Sequence, residues 1–303
     1  MTLVTIGIPT YNRALGYFRE TLESALAQTY PDIEIIVADN GSTDHTPDLV
    51  ASYQDKRIRY FRQERNIDPN DNFNFCLRQA RGDYFLLLHD DDLIDDDFVA
   101  TCMEKAAGNT AAGIIQTGTR LIDHKGRVLN ENRNLLEADS TYDFVKGWFE
   151  NKTALYLCST LYNTRMLKEI GGFSSPHNLF QDVVATVRLV GLGGRLGCRP
   201  VKASYRRHGS NRGDSVKVMH WCQDCAFLLD LICRLSPGHE DEIRRIGSVY
   251  FSRKCYRKAT GIKNPVRRFI TYFRIYRFFG NSCSPREIVR TNDWKALKNI
   301  FSR

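Results

Sequence analysis

The sequence predicts an α/β fold: a mostly parallel sheet with helices on both faces, followed by a helical C-terminal extension. Two observations lead there. From Leu3 to His89, short β-branched or aromatic runs alternate with longer helix-like stretches, the rhythm of βαβ units. From about Val216 the strand-like runs stop and the pattern is helical to the end, so the expected division is 1–215 for the α/β domain and 216–303 for the extension. A chain of 303 residues, 42 % hydrophobic and 26 % charged, can bury a full core and is too apolar to be disordered.

The strand expectations are Leu3 to Pro9, Ile33 to Asp39, Ile58 to Phe61 and Tyr84 to His89. All four are rich in residues that suit a pleated, buried surface. Between them, helices are expected over Leu15 to Gln28, Thr46 to Gln54 and Asn72 to Arg81. Further along come a strand over Gly113 to Ile122, a turn at His124-Lys125-Gly126, helices near Tyr142 to Glu150 and Gln181 to Val190, and a strand over Val201 to Arg207.

No apolar run approaches the roughly 18 to 20 residues that span a bilayer; the richest, Ala226 to Cys233, is broken by Asp230. The N-terminus enters a strand-like run without the basic and apolar regions of a signal peptide, so the default expectation is a cytoplasmic location. Nine cysteines, scattered and odd in number, read as free thiols, and Cys222-x-x-Cys225 lacks the second pair that a zinc site needs. The net charge of +8 is a C-terminal property: residues 244–303 hold 16 Lys and Arg against 2 Asp and Glu, the rest 27 against 33. Within that segment Arg267 to Phe279 interleaves cations with aromatic residues. Such a helix either lies on an anionic membrane surface, here through 263–280, or packs its aromatic side on the catalytic domain. No nucleic-acid-binding motif accompanies the charge, and no nucleic-acid partner is expected.

In parallel sheets ligands bind beyond the carboxyl ends of the strands, and three of those ends carry polar clusters. Pro9-Thr10-Tyr11-Asn12-Arg13 follows the first strand, and Asp39-Asn40-Gly41-Ser42-Thr43-Asp44 the second. The Asp39 carboxylate either accepts the imide N–H of a uracil or thymine or caps the turn. His89-Asp90-Asp91-Asp92 follows the apolar Tyr84 to Leu88. Adjacent carboxylates at such a place repel one another unless a cation sits among them, and hard oxygen ligands suit Mg²⁺ or Mn²⁺. Asp95 to Asp97 read instead as an acidic helix start. Asp182 opens a helix and is either its cap or a general base. Tyr205-Arg206-Arg207-His208 is either a solvated basic loop or a set of cations and an imidazole for a diphosphate and a metal.

Together these clusters resemble the inverting glycosyltransferases of family 2, which have the GT-A (nucleotide-diphospho-sugar transferase) fold, over about residues 2–212. The resemblance rests on Ile8 to Arg13, Ser24 to Tyr30, Ile35 to Asp44, Ala80 to Tyr84 leading into the aspartates, Gly171-Gly172-Phe173 followed by Gln181-Asp182, and the late Tyr-Arg-x-His segment. It implies a nucleoside diphosphate sugar as donor, Mn²⁺ or Mg²⁺ as cofactor, and inversion at the anomeric carbon. By position it implies Pro9, Thr10, Tyr11 and Asp39 at the nucleotide, with Asp39 on the base, and Asp90 with Asp91 as the ribose and metal site. Asp91 is the best metal ligand, because His89 stands where many members have the first Asp. Asp182 becomes the catalytic base, preceded by Gln181 where the family has Glu, and Arg206 and His208 face the diphosphate and metal.

UDP- or dTDP-sugars are favoured by Asp39, with guanosine donors known in the family. A glycan or lipid-linked glycan acceptor in bacterial O-antigen, capsule or exopolysaccharide synthesis is implied, at the inner face of the cytoplasmic membrane. Two rivals remain. A sugar-nucleotide pyrophosphorylase needs a Gly-rich basic loop after the first strand, which Pro9-Thr10-Tyr11-Asn12 does not resemble. A non-catalytic nucleotide or glycan binder could share the fold.

Overall fold

The computed structural model describes residues 2–137, 140–208 and 217–285. They fall in two compact units, one made of Met1–Ser174 and Gln181–Gly209, the other of Ser175–Phe180 and Ser210–Arg303. The domain boundary expected at 215/216 lies outside the described residues.

The first unit opens with β1 (Val4–Thr10), α1 (Phe18–Leu26), β2 (Ile33–Asp39), α2 (Thr46–Ala51), β3 (Ile58–Arg62), α3 (Pro69–Gln79) and β4 (Tyr84–Leu87). It continues through β5 (Leu93–Ile94), α4 (Phe98–Ala106), β6 (Ile114–Ile122), β7 (Val128–Asn132), α5 (Thr141–Phe149), β8 (Thr160–Asn163), α6 (Thr164–Glu169), α7 (Gln181–Gly193) and β9 (Arg195–Arg206). The strands form one sheet in the order β3-β2-β1-β4-β8-β6-β9-β5, with β7 paired to β6. Neighbours from β3 to β4 are parallel, and so are β6 and β9, while β8 runs antiparallel between β4 and β6. β5 and β7 also pair antiparallel, with β9 and β6, so the expected parallel order holds from β3 to β4 while the sheet as a whole is mixed, four of its eight pairings being parallel.

Every residue of β1, β2 and β4 is buried, which explains their near-continuous apolar runs: both faces are covered. On one face Val4, Ile6 and Ile8 join Ile35, Val37 and Leu86 in a core with Phe18 and Leu22 of α1 and Phe98 and Val99 of α4. The other face belongs to α3. There Gly7 is required by close approach, since a Cβ would sit 2.8 Å from the Phe85 ring and 2.9 Å from the Cys76 Cβ. Helix α3 starts three residues before the expected Asn72, because Asp68 caps it by accepting from the Asn70 N–H and Pro69 suits the first turn.

Three strands and one helix were not foreseen, and one more helix was foreseen only at its start. β5 has two residues, β8 has four, and β7 (Val-Leu-Asn-Glu-Asn) is almost wholly exposed, so none carries a run long or alternating enough to read. α6 is the helix missed, and of α4 only the acidic start at Asp95 to Asp97 was expected. Asp95 and Asp97 do more than open α4: Asp95 takes a two-pronged bond from Arg120 at 2.6 and 2.9 Å, and Asp97 pairs with Lys202 at 2.5 Å.

The second unit contains α8 (Val218–Arg234), α9 (Glu240–Ala259) and α10 (Pro265–Phe278). Cys222, Cys225, Leu228 and Ile232 of α8 are buried, as are Phe251, Cys255 and Tyr256 of α9. Tyr272 of α10 meets Tyr256 edge to face at 5.7 Å. The segment 175–180 is held to α8 by the buried Asp224, which accepts from the Ser175 hydroxyl at 2.6 Å and from the His177 and Leu179 N–H groups at 2.8 and 3.0 Å. All nine cysteines are free and buried. Among the described residues no helix is long and apolar enough to cross a membrane.

Candidate active site

The chemistry-bearing residues gather where β1, β2, β4 and β9 end. Parallel register sets Thr10 opposite Asp39, and Leu88, bonded to the Gly7 carbonyl at 2.9 Å, carries the chain past β1 into His89–Asp92. The loops after β1 and β2 are stitched together. Asn12, at φ 53°, donates its N–H to the Ser42 hydroxyl at 2.9 Å and accepts from the Thr43 N–H at 2.8 Å, while Asp44 accepts from the Ala14 N–H at 3.0 Å. Pro9 and Thr10 are buried at the strand end, and the Tyr11 ring is exposed.

Asp39 is fully buried and both of its oxygens are used. One accepts from the Ser42 N–H at 2.8 Å and the other from the Tyr60 hydroxyl at 2.6 Å. Burial, then the Asp39 carboxylate, pushes the Tyr60 hydroxyl well up, so it stays protonated and donates. The turn-capping reading of Asp39 is therefore realised, and Arg62 Nε lies 4.0 Å from the oxygen that takes the Tyr60 bond.

Each aspartate after β4 has a different partner. Asp90 lies beside Thr10 and 3.8 Å from the Arg13 guanidinium; burial, then Asp91, raises its carboxyl to about 6. Asp91 meets His208 Nε2 through one oxygen at 2.7 Å. Asp92, buried, accepts from the Arg206 N–H at 2.9 Å, and burial followed by the Asp91 charge holds its carboxyl well above the usual range. His89 lies against Phe73 of α3, with ring centroids 4.9 Å apart. Donor atoms of His89, Asp91 and Asp92 all lie within 4.8 Å of one another. Two carboxyl groups resisting ionisation and a shared, imidazole-flanked Asp91 are what a divalent cation would relieve, so the residues present fit such an ion.

Arg206 has its own set of partners. Its side chain is 1 % exposed, and the guanidinium is committed to the protein: Nε donates to the Asp91 carbonyl at 2.9 Å, Nη2 to Glu20 at 2.7 Å, and the group lies 4.2 Å from the Tyr17 ring centroid. It thereby fixes the backbone of the aspartate turn. Tyr17 also meets the His208 ring at 5.6 Å, so Glu20, Tyr17, Arg206, Asp91 and His208 form one connected group.

Asp182 stands in the first turn of α7. Its carbonyl accepts from the Thr186 hydroxyl at 2.8 Å, which contacts the buried Tyr162 hydroxyl of β8 at 3.1 Å. Burial, then the Asp182 charge, raises the Tyr162 hydroxyl. The approach to α7 is clamped by two asparagines one helical turn apart on α3. Asn74 accepts from the Phe173 N–H and donates to its carbonyl, both at 2.9 Å, and Asn70 donates to the same carbonyl at 2.9 Å. Gly172, at φ 79°, is required because a Cβ would collide with the Asn74 amide oxygen.

Sequence reasoning assigned no role to Arg13, Tyr17, Glu20, Asn70, Asn74 or Asp92. The i, i+4 spacing of Asn70 and Asn74 was a usable signal, because it puts both amides on one helix face. The Arg206–Glu20 pair joins residues too far apart in the chain for any local pattern.

Residues 5–171 match the model of glycosyl transferase family 2. The chain belongs to that family. A GalNAc(5)-diNAcBac-PP-undecaprenol β-1,3-glucosyltransferase of Campylobacter jejuni is 33 % identical over 180 residues, 57 % of each chain. The chain spans only 26–30 % of the length of matching glycosyltransferases from Rickettsia species. Among solved structures, TarS of S. aureus in complex with UDP-GlcNAc superposes with a TM-score of 0.71 at 16 % identity, over 94 % of this chain and 82 % of that one. A mannosyltransferase from Pyrobaculum calidifontis in complex with GDP-Man and Mn²⁺ gives 0.58 at 16 % identity, over 99 % and 80 %. The family's GT-A fold is thus shared by this chain.

The internal commitment of Arg206 has a measurable consequence. Arg206→Met should lower stability by about 2–3 kcal/mol, somewhat less than for a fully buried ion pair because Glu20 is half exposed. Urea denaturation measures this, and a loss below about 0.5 kcal/mol, the size of an ordinary surface change, would show that the guanidinium anchors nothing.

Proposed function

We propose that this family 2 glycosyltransferase moves a sugar from a nucleoside diphosphate sugar to an acceptor hydroxyl, with inversion at the anomeric carbon. The observation that carries the reading is the convergence of Thr10, Asp39, Asp90, Asp91 and His208 at the ends of four strands, with Asp91 bonded to His208 and a donor atom of His89 within 4.8 Å of it. In this proposal Asp39 receives the imide N–H of uracil or thymine, with Pro9, Thr10 and Tyr11 beside the nucleotide. Asp90 takes the ribose, and Asp91 with His208 would hold Mn²⁺ or Mg²⁺. A cation bound there neutralises charge that develops on the departing diphosphate. Arg206 serves by holding the Asp91 backbone in place.

Asp182 acts as the general base. Its carboxylate takes the acceptor proton as the acceptor oxygen bonds to the anomeric carbon and the bond to the diphosphate breaks. The Gly172–Phe173 clamp fixes the approach to the helix that carries it, and orientation of the two substrates supplies much of the acceleration. Support for the donor class comes from the TarS and Pyrobaculum structures, which hold UDP-GlcNAc and GDP-Man.

An undecaprenol-linked acceptor is named for the Campylobacter relative, which supports a lipid-linked glycan as the acceptor proposed here and the inner face of a cytoplasmic membrane as the proposed site of action. Helix α10 suits this. It buries Tyr272 and Ile275, yet leaves Val266, Ile270, Phe273 and Phe278 exposed beside Arg267, Arg274 and Arg277. An apolar stripe flanked by cations is the surface that anionic headgroups attract.

Asp182→Asn should cut turnover by roughly 10²–10⁴-fold while nucleotide affinity stays within about twofold. Steady-state kinetics and calorimetry read the two separately, and wild-type turnover in the variant would remove Asp182 from the chemistry. In sedimentation with phosphatidylglycerol vesicles, the triple change Arg267→Glu, Arg274→Glu, Arg277→Glu should weaken binding by at least about tenfold, given roughly 1 kcal/mol per surface cation. Equal binding by both proteins would exclude α10 as the docking face.

A further inference from the structure

We infer that His89 sets which divalent cation the aspartate cluster takes, favouring ions that accept nitrogen, such as Mn²⁺, Co²⁺ and Zn²⁺, over Mg²⁺. The inference rests on the proposal that this cluster is the cation site of the donor pocket.

Three observations carry it. His89 Nε2 is shut off from solvent and has no hydrogen-bond partner, an arrangement that costs stability unless something else is bound there. A donor atom of the same side chain lies within 4.8 Å of donors from Asp91 and Asp92, so one ion could touch all three. The ring itself is placed by contact with Phe73 at 4.9 Å, on an α3 whose start is pinned by the Asp68 cap.

The partners of the neighbouring carboxylates make nitrogen matter more. Asp92 already accepts the Arg206 N–H at 2.9 Å, and Asp90 is paired with Arg13 at 3.8 Å. Asp91 is bonded to His208 Nε2 at 2.7 Å and is therefore bordered by imidazoles on two sides. Imidazole suits Mn²⁺ weakly, and Co²⁺ and Zn²⁺ strongly, along the usual order of affinity, whereas Mg²⁺ demands oxygen and keeps its waters. An all-carboxylate cluster would not discriminate in this way. A histidine two residues past the end of β4 offers a neutral, softer ligand where a carboxylate would be a hard anionic one.

The test uses the full chain, with UDP and GDP as parallel nucleotide probes. Calorimetry measures nucleotide binding with MgCl₂, MnCl₂ and CoCl₂ for wild type, His89→Asp and His89→Gln, with circular dichroism melts to check that each variant is folded. Electron spin-echo spectroscopy of bound Mn²⁺ reports ¹⁴N coupling directly. We expect His89→Asp to shift the Co²⁺-over-Mg²⁺ preference towards Mg²⁺ by at least about tenfold, one ligand's share of the discrimination. His89→Gln should lower the ¹⁴N modulation. A preference unchanged in both folded variants, with metal-dependent binding intact, would overturn the role of His89 and leave the donor site standing. If no divalent ion strengthens binding of either nucleotide to wild type, the cation-site reading falls and this inference with it.

Discussion

Three consecutive aspartates at the end of β4 are the constraint around which the rest of this site is arranged. Like charges so close, in a partly buried turn, are tolerated only if each is answered separately. Arg13 answers Asp90, His208 answers Asp91, and the Arg206 N–H answers Asp92. The three answering groups come from two places only, the loop after β1 and the end of β9. β9 is separated from β4 in the sheet by β8 and β6, so these bonds draw together strand ends that pairing alone does not join.

Arg206 makes that arrangement rigid. Its N–H, Nε and Nη2 each go to a different acceptor, on Asp92, Asp91 and Glu20, and its guanidinium lies close to Tyr17. A planar, always-charged fork can satisfy several directions at once, which a lysine could not. The result is a turn whose shape is held by buried bonds, with the side chains of Asp91 and His208 left to deal with whatever enters. The Asn70 and Asn74 amides do comparable work for the Gly172–Phe173 turn before α7. In both places a backbone turn is held by side-chain bonds from a distant part of the chain.

Much of this was legible in the sequence, for physical reasons. A strand buried on both faces must be apolar throughout, so β1, β2 and β4 announce themselves, and polar clusters at their ends stand out by contrast. That was enough to find Thr10, Asp39 and the aspartates. The antiparallel β8 was not legible, because four residues in a mixed stretch carry no period. The partners of Arg206 were not legible for a related reason. A basic residue after a strand looks like a ligand for phosphate, and only the fold shows that Glu20 and the Asp91 carbonyl reach it first. On α10 the fold adds what the sequence pattern could not, namely which side chains are buried, Tyr272 and Ile275, and which are exposed beside the arginines.

The central claim is that Asp91 anchors a cation-dependent nucleotide site at these strand ends. Calorimetric titration of wild type and Asp91→Ala with UDP, dTDP and GDP, each with and without Mn²⁺, tests it most directly. The account predicts that one of the three nucleotides binds wild type in a metal-dependent way, and that Asp91→Ala loses this dependence while remaining folded. Absence of binding to all three nucleotides under both conditions, or metal-dependent binding unchanged in Asp91→Ala, would contradict it.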